Sequence, residues 1–399
     1  MDEITQPPLR VLVVDDDVAC ARTVAGMLRH VGPHSVETAV SADEAVERLN
    51  TSTYDLIFCD LNMPGRDGVE TMRLFAERHV KCPILIVSGA DTKILKAAQE
   101  LGKHRGLGVA GTLHKPFGLE QIRSALAHVA QVTSPRSRRP LPIVTEKDLA
   151  AGIAAEQLVL HYQPQLNLHT CQLAGAEALV RWQHPERGLL MPDAFISLAE
   201  ASGLIAPLTE WVMREAIRQA AHWRKNGLDI GVSVNLSAQT LRELDLPDRI
   251  ATSTAEAGLN PGRITLEITE SGMTDDVDSL LDITTRLRLK GFLLAIDDFG
   301  TGFSSLTQLK RLPFTELKID RTFVSGAATD GDARSLLESS VNLAKRLQLK
   351  TVAEGIETEE EWNLLVWMGV DLGQGYYMAR PMPAEKILPW YSGWQAQVA

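Results

Sequence analysis

The sequence predicts an α/β protein of two globular units, a doubly wound parallel sheet followed by a modified (β/α)8 barrel. Three observations carry this prediction. Short apolar runs alternate with helix-periodic segments along almost the whole chain. A break rich in proline and arginine, TSPRSRRPLP from Thr133 to Pro142, separates a shorter first unit from a longer second one. The apolar runs on both sides of it repeatedly end in carboxylates, amides or a lysine. The resulting division is 1–131 for the first unit, 132–142 for the linker and 143–399 for the second.

Composition narrows the function classes. With 45% hydrophobic and 23% charged residues, the chain buries ordinary globular cores and is neither fibrous nor disordered. A formal net charge of −11 excludes a nucleic-acid polymer as partner, since such a partner demands a basic footprint. It leaves open a small molecule bearing phosphate, because bound divalent cations invert the local charge. Cys20, Cys59, Cys82 and Cys171 are scattered without zinc spacing and read as reduced structural residues. The opening MDEITQPP lacks the features of a secretory signal, and no apolar run reaches membrane-spanning length. The expectation is a cytoplasmic protein with no membrane partner.

In the first unit, Arg10 to Val14 read as a strand ending in Asp15, Asp16 and Asp17. An amphipathic helix follows. Asp55 to Cys59 form a strand ending at Asp60, Pro83 to Val87 one ending at Ser88, and Val109 to His114 one ending at Lys115. Ser41 to Leu49 and Val69 to His79 have helical spacing. In a doubly wound sheet these polar groups gather at the carboxyl edge of the strands. Their chemistry suits phosphoryl transfer. Asp15, Asp16 and Asp60 offer the hard oxygens that hold one Mg²⁺, and Asp60 is placed to attack a phosphoryl donor and become an aspartyl-phosphate. Ser88 and Lys115 then bond and neutralise the added oxygens.

With VVDDD, CDLNMPGRDG, VSGAD and HKPF in this order, the unit resembles the receiver domains of two-component response regulators. The resemblance implies a five-stranded parallel sheet, phosphorylation at Asp60 and a cognate sensor histidine kinase as partner. Thr112 stands where many receivers carry an aromatic switch residue, so the usual aromatic switch is not available.

In the second unit, Leu158 to Leu166 and Gln172 to Arg181 are β-rich runs joined by a turn, an antiparallel opening. Strands follow at Ile230–Val234, Ile264–Ile268, Phe292–Ile296, Glu316–Ile319, Lys350–Ala353 and Leu372–Tyr377. Helical patterns run over Asp193–Ala201, Glu210–Asn226, Ser279–Lys290, Ala333–Leu347 and Glu359–Met368. Such alternation over about 250 residues is the pattern of a (β/α)8 barrel, whose chemistry collects at the carboxyl ends of its strands. Those ends carry Glu177, Asn235, Glu267 with Glu270, Asp297 with Asp298, Lys318 with Asp320, Glu354 with Glu357, and Gln374. This is a set of oxygen ligands with one lysine. Asp297 and Asp298, adjacent on an extended strand, project to opposite sides and suit two neighbouring cations. The loop after them, with Gly300, Gly302, Ser304 and Ser305, is small enough to move or to approach a ligand closely.

The segment Glu177-Ala178-Leu179 spells EAL. With YQPQ, NLS, LEITE, DDFGTGFSSL, LKID, AEGIE and QGYYMARPMP around the rest of the unit, the sequence resembles the EAL-domain family of cyclic di-GMP phosphodiesterases. The resemblance implies hydrolysis of cyclic di-GMP to pGpG with two Mg²⁺ or Mn²⁺ ions. By it, Glu177, Asn235, Glu267 and Asp297 ligate the first ion, and Asp297 bridges to a second held by Asp298 and Glu354. Lys318 and Glu354 are rival candidates for activating the water. A lysine beside two cations would have a lowered pKa. Asp320, Glu357 and Gln374 position water or ligands, and Glu270 anchors the DDFG loop. Gln163, Arg181, Asp320, Gln374, Pro381 and Pro383 form the substrate-contacting set. Dimers or tetramers are expected on the same analogy. The alternative reading is a catalytically silent receptor that binds cyclic di-GMP and signals by protein contact.

Overall fold

A computed structural model describes residues 8–133, 144–270, 276–300 and 306–398. The chain forms two compact units, divided between residues 140 and 141. The linker arginines Arg136, Arg138 and Arg139 lie outside the described residues, as do Gly302, Ser304 and Ser305.

The first unit runs β1 Arg10–Val14, α1 Val18–Val31, β2 Ser35–Ala39, α2 Ala42–Thr51, β3 Leu56–Asp60, α3 Gly68–Glu77, β4 Ile84–Ser88, α4 Thr92–His104, β5 Val109–His114 and α5 Leu119–Thr133. Its sheet has the order β2-β1-β3-β4-β5, all parallel. Alternate strand residues feed two cores. Leu12, Val14, Ile57, Cys59, Ile84 and Ile86 pack with Ala45, Met72, Phe75 and Leu95 from α2, α3 and α4. Val11, Val13, Leu56, Phe58, Leu85 and Val87 pack with Val24, Leu28, Ile122 and Leu126 from α1 and α5. Burial on both faces explains why these strands read as unbroken apolar runs. Asp17, Ser41, Asp67 and Asp91 cap α1 to α4 by accepting first-turn N–H groups, about 1 kcal/mol each. The chain order reverses between β1 and β3, and Asp15 and Asp60 stand at that crevice. The sequence reading passed over β2, whose SVETA is half polar because it lies at the sheet edge.

The second unit begins with α6 Glu146–Ala154, β6 Leu158–Asn167, β7 Leu173–His184, β8 Gly188–Leu190, α7 Ile196–Ser202 and α8 Ile205–Lys225. It continues through β9 Gly231–Leu236, α9 Leu246–Glu256, β10 Ile264–Thr269, α10 Val277–Leu289, β11 Leu293–Phe299, α11 Leu306–Arg311, β12 Glu316–Ile319 and α12 Arg321–Val324. It closes with α13 Gly331–Arg346, β13 Lys350–Ala353, α14 Glu359–Met368, β14 Leu372–Gly373, β15 Met382–Pro383 and α15 Ile387–Val398. Strands β7 and β9 to β14 run parallel, and β6 closes the barrel by pairing antiparallel with both β7 and β14. This is the modified eight-stranded barrel that the sequence predicts. Alternate strand residues such as Ala176, Val234, Leu266, Leu294 and Leu317 pack on Ile217, Ile283, Leu287 and Val341 of the helices. Each such buried leucine, isoleucine or valine contributes roughly 1.5–3 kcal/mol. The residues between them in each strand face inward, which is where the polar residues are.

One expected strand is corrected. Leu372–Tyr377 is a strand only over Leu372–Gly373. Beyond it the chain wraps the Ile356 backbone, whose N–H donates to the Gln374 carbonyl and whose carbonyl accepts from the Tyr377 N–H. Those two bonds replace the ladder.

Candidate functional site at the barrel mouth

Strand register decides which side chains meet. Glu267 lies beside Asn235 on one side and Ala295 on the other, and Asp297 stands one inward step further out, beside Thr269. Gln163 pairs with Glu177 across β6 and β7. The inward set converges on the Lys318 ammonium, only 1% exposed. Its Nζ lies 2.6 Å from Glu354 Oε1, 2.7 Å from Glu267 Oε2, 3.1 Å from Asp297 Oδ1 and 3.6 Å from Glu177 Oε2. Asn235 Nδ2 donates to Glu177 Oε1 at 2.9 Å. Gln374 Nε2 donates to Glu177 Oε2 at 2.6 Å and to Glu354 Oε1 at 3.1 Å.

Asp297 and Asp298 do not diverge as an extended pair would. Register between β11 and β12 steps from Ile296↔Leu317 to Phe299↔Ile319, three residues against two. The extra residue is a β-bulge, a device that bends a strand and re-aims a side chain. Asp298 takes it up with φ 54°, a left-handed conformation that aspartate tolerates better than most residues. In consequence Asp297, Asp298 and Glu354 offer carboxylate oxygens within 4.8 Å of one another.

The electrostatics favour cations. Four carboxylates surround one ammonium, and Asp298 adds a fifth negative group nearby. Burial pushes the Glu267 carboxyl well above its usual range; Lys318 opposes this, while Glu177, Asp297 and Glu354 reinforce it. Burial likewise raises Glu354 against the pull of Lys318. Burial raises Asp298, with Asp297 and Asp320 adding to it. For Lys318, burial alone would lower the pKa, but the surrounding carboxylates carry it well above the ordinary lysine value. Hard oxygens with excess negative charge are the donor set that Mg²⁺ and Mn²⁺ take, so the residues fit the metals that the sequence implies.

Glu270 is buried and accepts the Gly300 N–H at 2.8 Å, at the point where the DDFG loop leaves β11. Gln163 donates to the Ala379 carbonyl at 3.2 Å. Arg181 is buried, and burial lowers its pKa; its Nε has no hydrogen-bond partner among the described residues. Pro383 pairs beside His161 at β15, and Pro381 precedes that strand. Asp320 caps α12 by accepting the Thr322 N–H at 2.9 Å. Glu357 does not join the cluster; it is exposed and pairs with Arg321 at 3.0 Å. An apolar cavity of about 390 Å³, lined by Leu179, Pro192, Ile196 and Leu208, opens beside Asn235 and Thr269.

Sequence reasoning passed over three contributors. Gln165, in YQPQ, donates to Gln374 Oε1 at 3.0 Å; its inward parity with Gln163 was the available signal. Arg321 and Phe323 on α12 fill the space that a Cβ would take at Gly355 and Gly300. Both glycines have positive φ, 66° and 97°, and no sequence signal marks that contact.

The first unit has its own acidic cluster. Asp15, Asp16 and Asp60 bring oxygens within 4.8 Å of one another. Lys115 Nζ lies 2.7 Å from Asp15 Oδ2 and 3.0 Å from Asp60 Oδ2. Burial alone would lower the Lys115 pKa, but these two carboxylates raise it. Asp60 Oδ1 is buried without a partner among the described residues, an acceptor that suits a cation. Ser88 is buried at the end of β4 and accepts the Ala90 N–H. Thr112 is exposed on β5.

Comparison with known proteins follows this division. Residues 146–381 match the EAL domain family and residues 11–127 the response regulator receiver domain. The chain is 32% identical over 388 residues to the cyclic di-GMP phosphodiesterase RocR of Pseudomonas aeruginosa, covering 96% of this chain and 99% of that protein. It is 44% identical over 242 residues to the bifunctional diguanylate cyclase/cyclic di-GMP phosphodiesterase MucR of the same species, but spans only 35% of MucR's length. Among solved structures, the MucR phosphodiesterase in complex with c-di-GMP aligns with TM-score 0.58 and 43% identity over 60% of this chain and 98% of that one. The EAL enzyme Bd1971, bound to cAMP and cyclic-di-GMP, aligns with TM-score 0.59 and 29% identity over 68% of this chain and 75% of that one.

Proposed function

Because the chain belongs to the EAL-domain family and carries a response regulator receiver domain, we propose that it is a response regulator that hydrolyses cyclic di-GMP to pGpG, at a rate set by phosphorylation of Asp60. The observation that carries this reading is the meeting of Glu177, Glu267, Asp297 and Glu354 around Lys318 at one barrel mouth. The likeness to RocR, named a cyclic di-GMP phosphodiesterase, extends over both units.

Glu177, Asn235, Glu267 and Asp297 hold one divalent cation in this account, and Asp297, Asp298 and Glu354 a second. Mg²⁺ or Mn²⁺ bound there supplies Lewis acidity that activates water and neutralises the anionic diester. The protein's own groups do the rest. Gln374 keeps Glu177 and Glu354 turned toward the centre through its two N–H bonds. The Lys318 ammonium, which meets the same carboxylates, orients the attacking water in this reading, and Glu354 takes its proton. Arg181, with an N–H still to give, pairs with a phosphate oxygen. Gln163, Asp320, Pro381 and Pro383 line the approach, and the cavity beside Asn235 takes an apolar face of guanine. Glu270 fixes the start of the DDFG loop, and Glu357 acts on the site through Arg321.

In the receiver, Asp15, Asp16 and Asp60 hold one Mg²⁺, and Asp60 accepts a phosphoryl group from a cognate sensor histidine kinase. Lys115 and Ser88 then hold the new oxygens. The protein works in the cytoplasm as a homo-oligomer; no helix among the described residues is long and apolar enough to cross a membrane. The test is full-length protein with cyclic di-GMP and Mg²⁺ or Mn²⁺, with and without beryllofluoride. Accumulating pGpG, at a rate that beryllofluoride changes, is expected. Tight binding of intact substrate without product would mark a silent receptor, and identical rates in both arms would remove control through Asp60.

A further inference from the structure

The barrel contains a buried amide relay that the family's carboxylate chemistry does not by itself require. Gln165 is 4% exposed and lies opposite Gly175 on β7, two residues below the Gln163–Glu177 pair. Gln374, also 4% exposed, follows β14. The Glu177 carboxylate only accepts hydrogen bonds, so Gln374 must turn its Nε2 toward it, and the same Nε2 reaches Glu354 Oε1. Its Oε1 therefore points the other way, and only a donor can stabilise it there. Gln165 Nε2 is that donor, at 3.0 Å. The Gln165 amide oxygen occupies the space over Gly175, where a Cβ would stand 3.0 Å from it.

We propose that Gln165 is a positioning residue: one N–H of its amide fixes the Gln374 amide, and through it the placement of Glu177 and Glu354 for cation binding. The proposal rests on the phosphodiesterase reading above. An acceptor at position 165 would face Gln374 Oε1, turn the amide over and present its oxygen to two carboxylates. An apolar side chain of similar size would leave the buried Gln374 Oε1 without its donor and the amide held by the carboxylates alone. Outer partners of metal ligands of this kind typically govern affinity for the ion by 10–100-fold.

Three variants separate donor chemistry from packing: Gln165→Glu, Gln165→Met and Gln165→Lys, the last retaining an N–H donor. They are compared in full-length protein whose receiver cluster is silenced by Asp15→Asn and Asp16→Asn, and that protein without further change is the parent. Mn²⁺ affinity is measured by electron paramagnetic resonance of the free ion, alongside the Mn²⁺ dependence of cyclic di-GMP hydrolysis. The expected order is an affinity loss of about tenfold or more for Gln165→Glu, a smaller loss for Gln165→Met, and Gln165→Lys within about threefold of the parent. Unchanged affinity in both Gln165→Glu and Gln165→Met overturns the proposal. So does a Lys variant that falls as far as the Met variant, because packing alone would then account for the series. Should the Glu variant not fold, the Met and Lys pair decides. A parent that binds Mn²⁺ but never cleaves cyclic di-GMP refutes the phosphodiesterase reading, while the affinity order still tests Gln165.

Discussion

Lys318 stands where four carboxylates from different strands meet, and its removal is the sharpest test of their mutual repulsion. Lys318→Met keeps the length but leaves the acidic groups buried and uncompensated. We predict a loss of about 3–5 kcal/mol in chelator, measured by denaturant unfolding, and a smaller loss when Mn²⁺ is present. The raised carboxyls give a second prediction. Glu267 and Glu354 retain protons when folded at pH values where a glutamate of ordinary pKa 4.5 has lost them. The folded state then binds more protons than the unfolded one, so stability falls as pH rises above that ordinary value. The raised Lys318 acts in the same sense, but only above the usual lysine range of 10.5. In chelator, the melting temperature should decline between about pH 5 and pH 8; Mn²⁺, which displaces those protons, should flatten or reverse the trend. A melting temperature that climbs over this window in chelator would contradict the charge balance described.

At the scale of elements, the site depends on a bulge and a one-turn helix more than on regular structure. Helix α12 presses Phe323 against Gly300 and Arg321 against Gly355, and these glycines flank the carboxylates at Asp298 and Glu354. Both positions combine positive φ with an occupied Cβ space, so Gly300→Ala or Gly355→Ala costs about 1–2 kcal/mol in backbone strain before any displacement of Phe323 or Arg321. We predict that each lowers hydrolysis while the receiver still takes up a phosphoryl group, measured as parallel turnover and phosphorylation assays. Retained turnover in both would remove α12 from the site. Here the limit of sequence reading becomes physical. Strand ends such as Glu267 and Lys318 were legible because inward residues alternate with a period of two. The bulge at Asp298 was not, because an inserted residue breaks that period without changing composition. Strand β2 was missed because an edge strand needs fewer apolar residues. The path after Gly373 was missed because its bonds go to the distant Ile356 backbone.

Across the whole molecule, two acidic clusters of like chemistry lie in separate units. Each unit was recognisable from motifs that place oxygen ligands at strand ends, and the break in composition between them was visible too. What the motifs did not contain is the network beneath the ligands, since Gln165 and Gln374 are far apart in the chain and meet only through barrel closure at β6. Asp60→Asn should leave basal hydrolysis in place and abolish both phosphoryl uptake and any response to beryllofluoride. A response that persists would place the regulatory acceptor elsewhere. The proposed hydrolysis rests on the convergence of Glu177, Asn235, Glu267 and Asp297 with Asp298 and Glu354 around divalent ions. The measurement that tests this most directly is anomalous diffraction from Mn²⁺-soaked crystals. Two ions at the barrel mouth about 3.5–4 Å apart, sharing Asp297, is the predicted result. Crystals saturated with Mn²⁺ that show no ion among these side chains would contradict it.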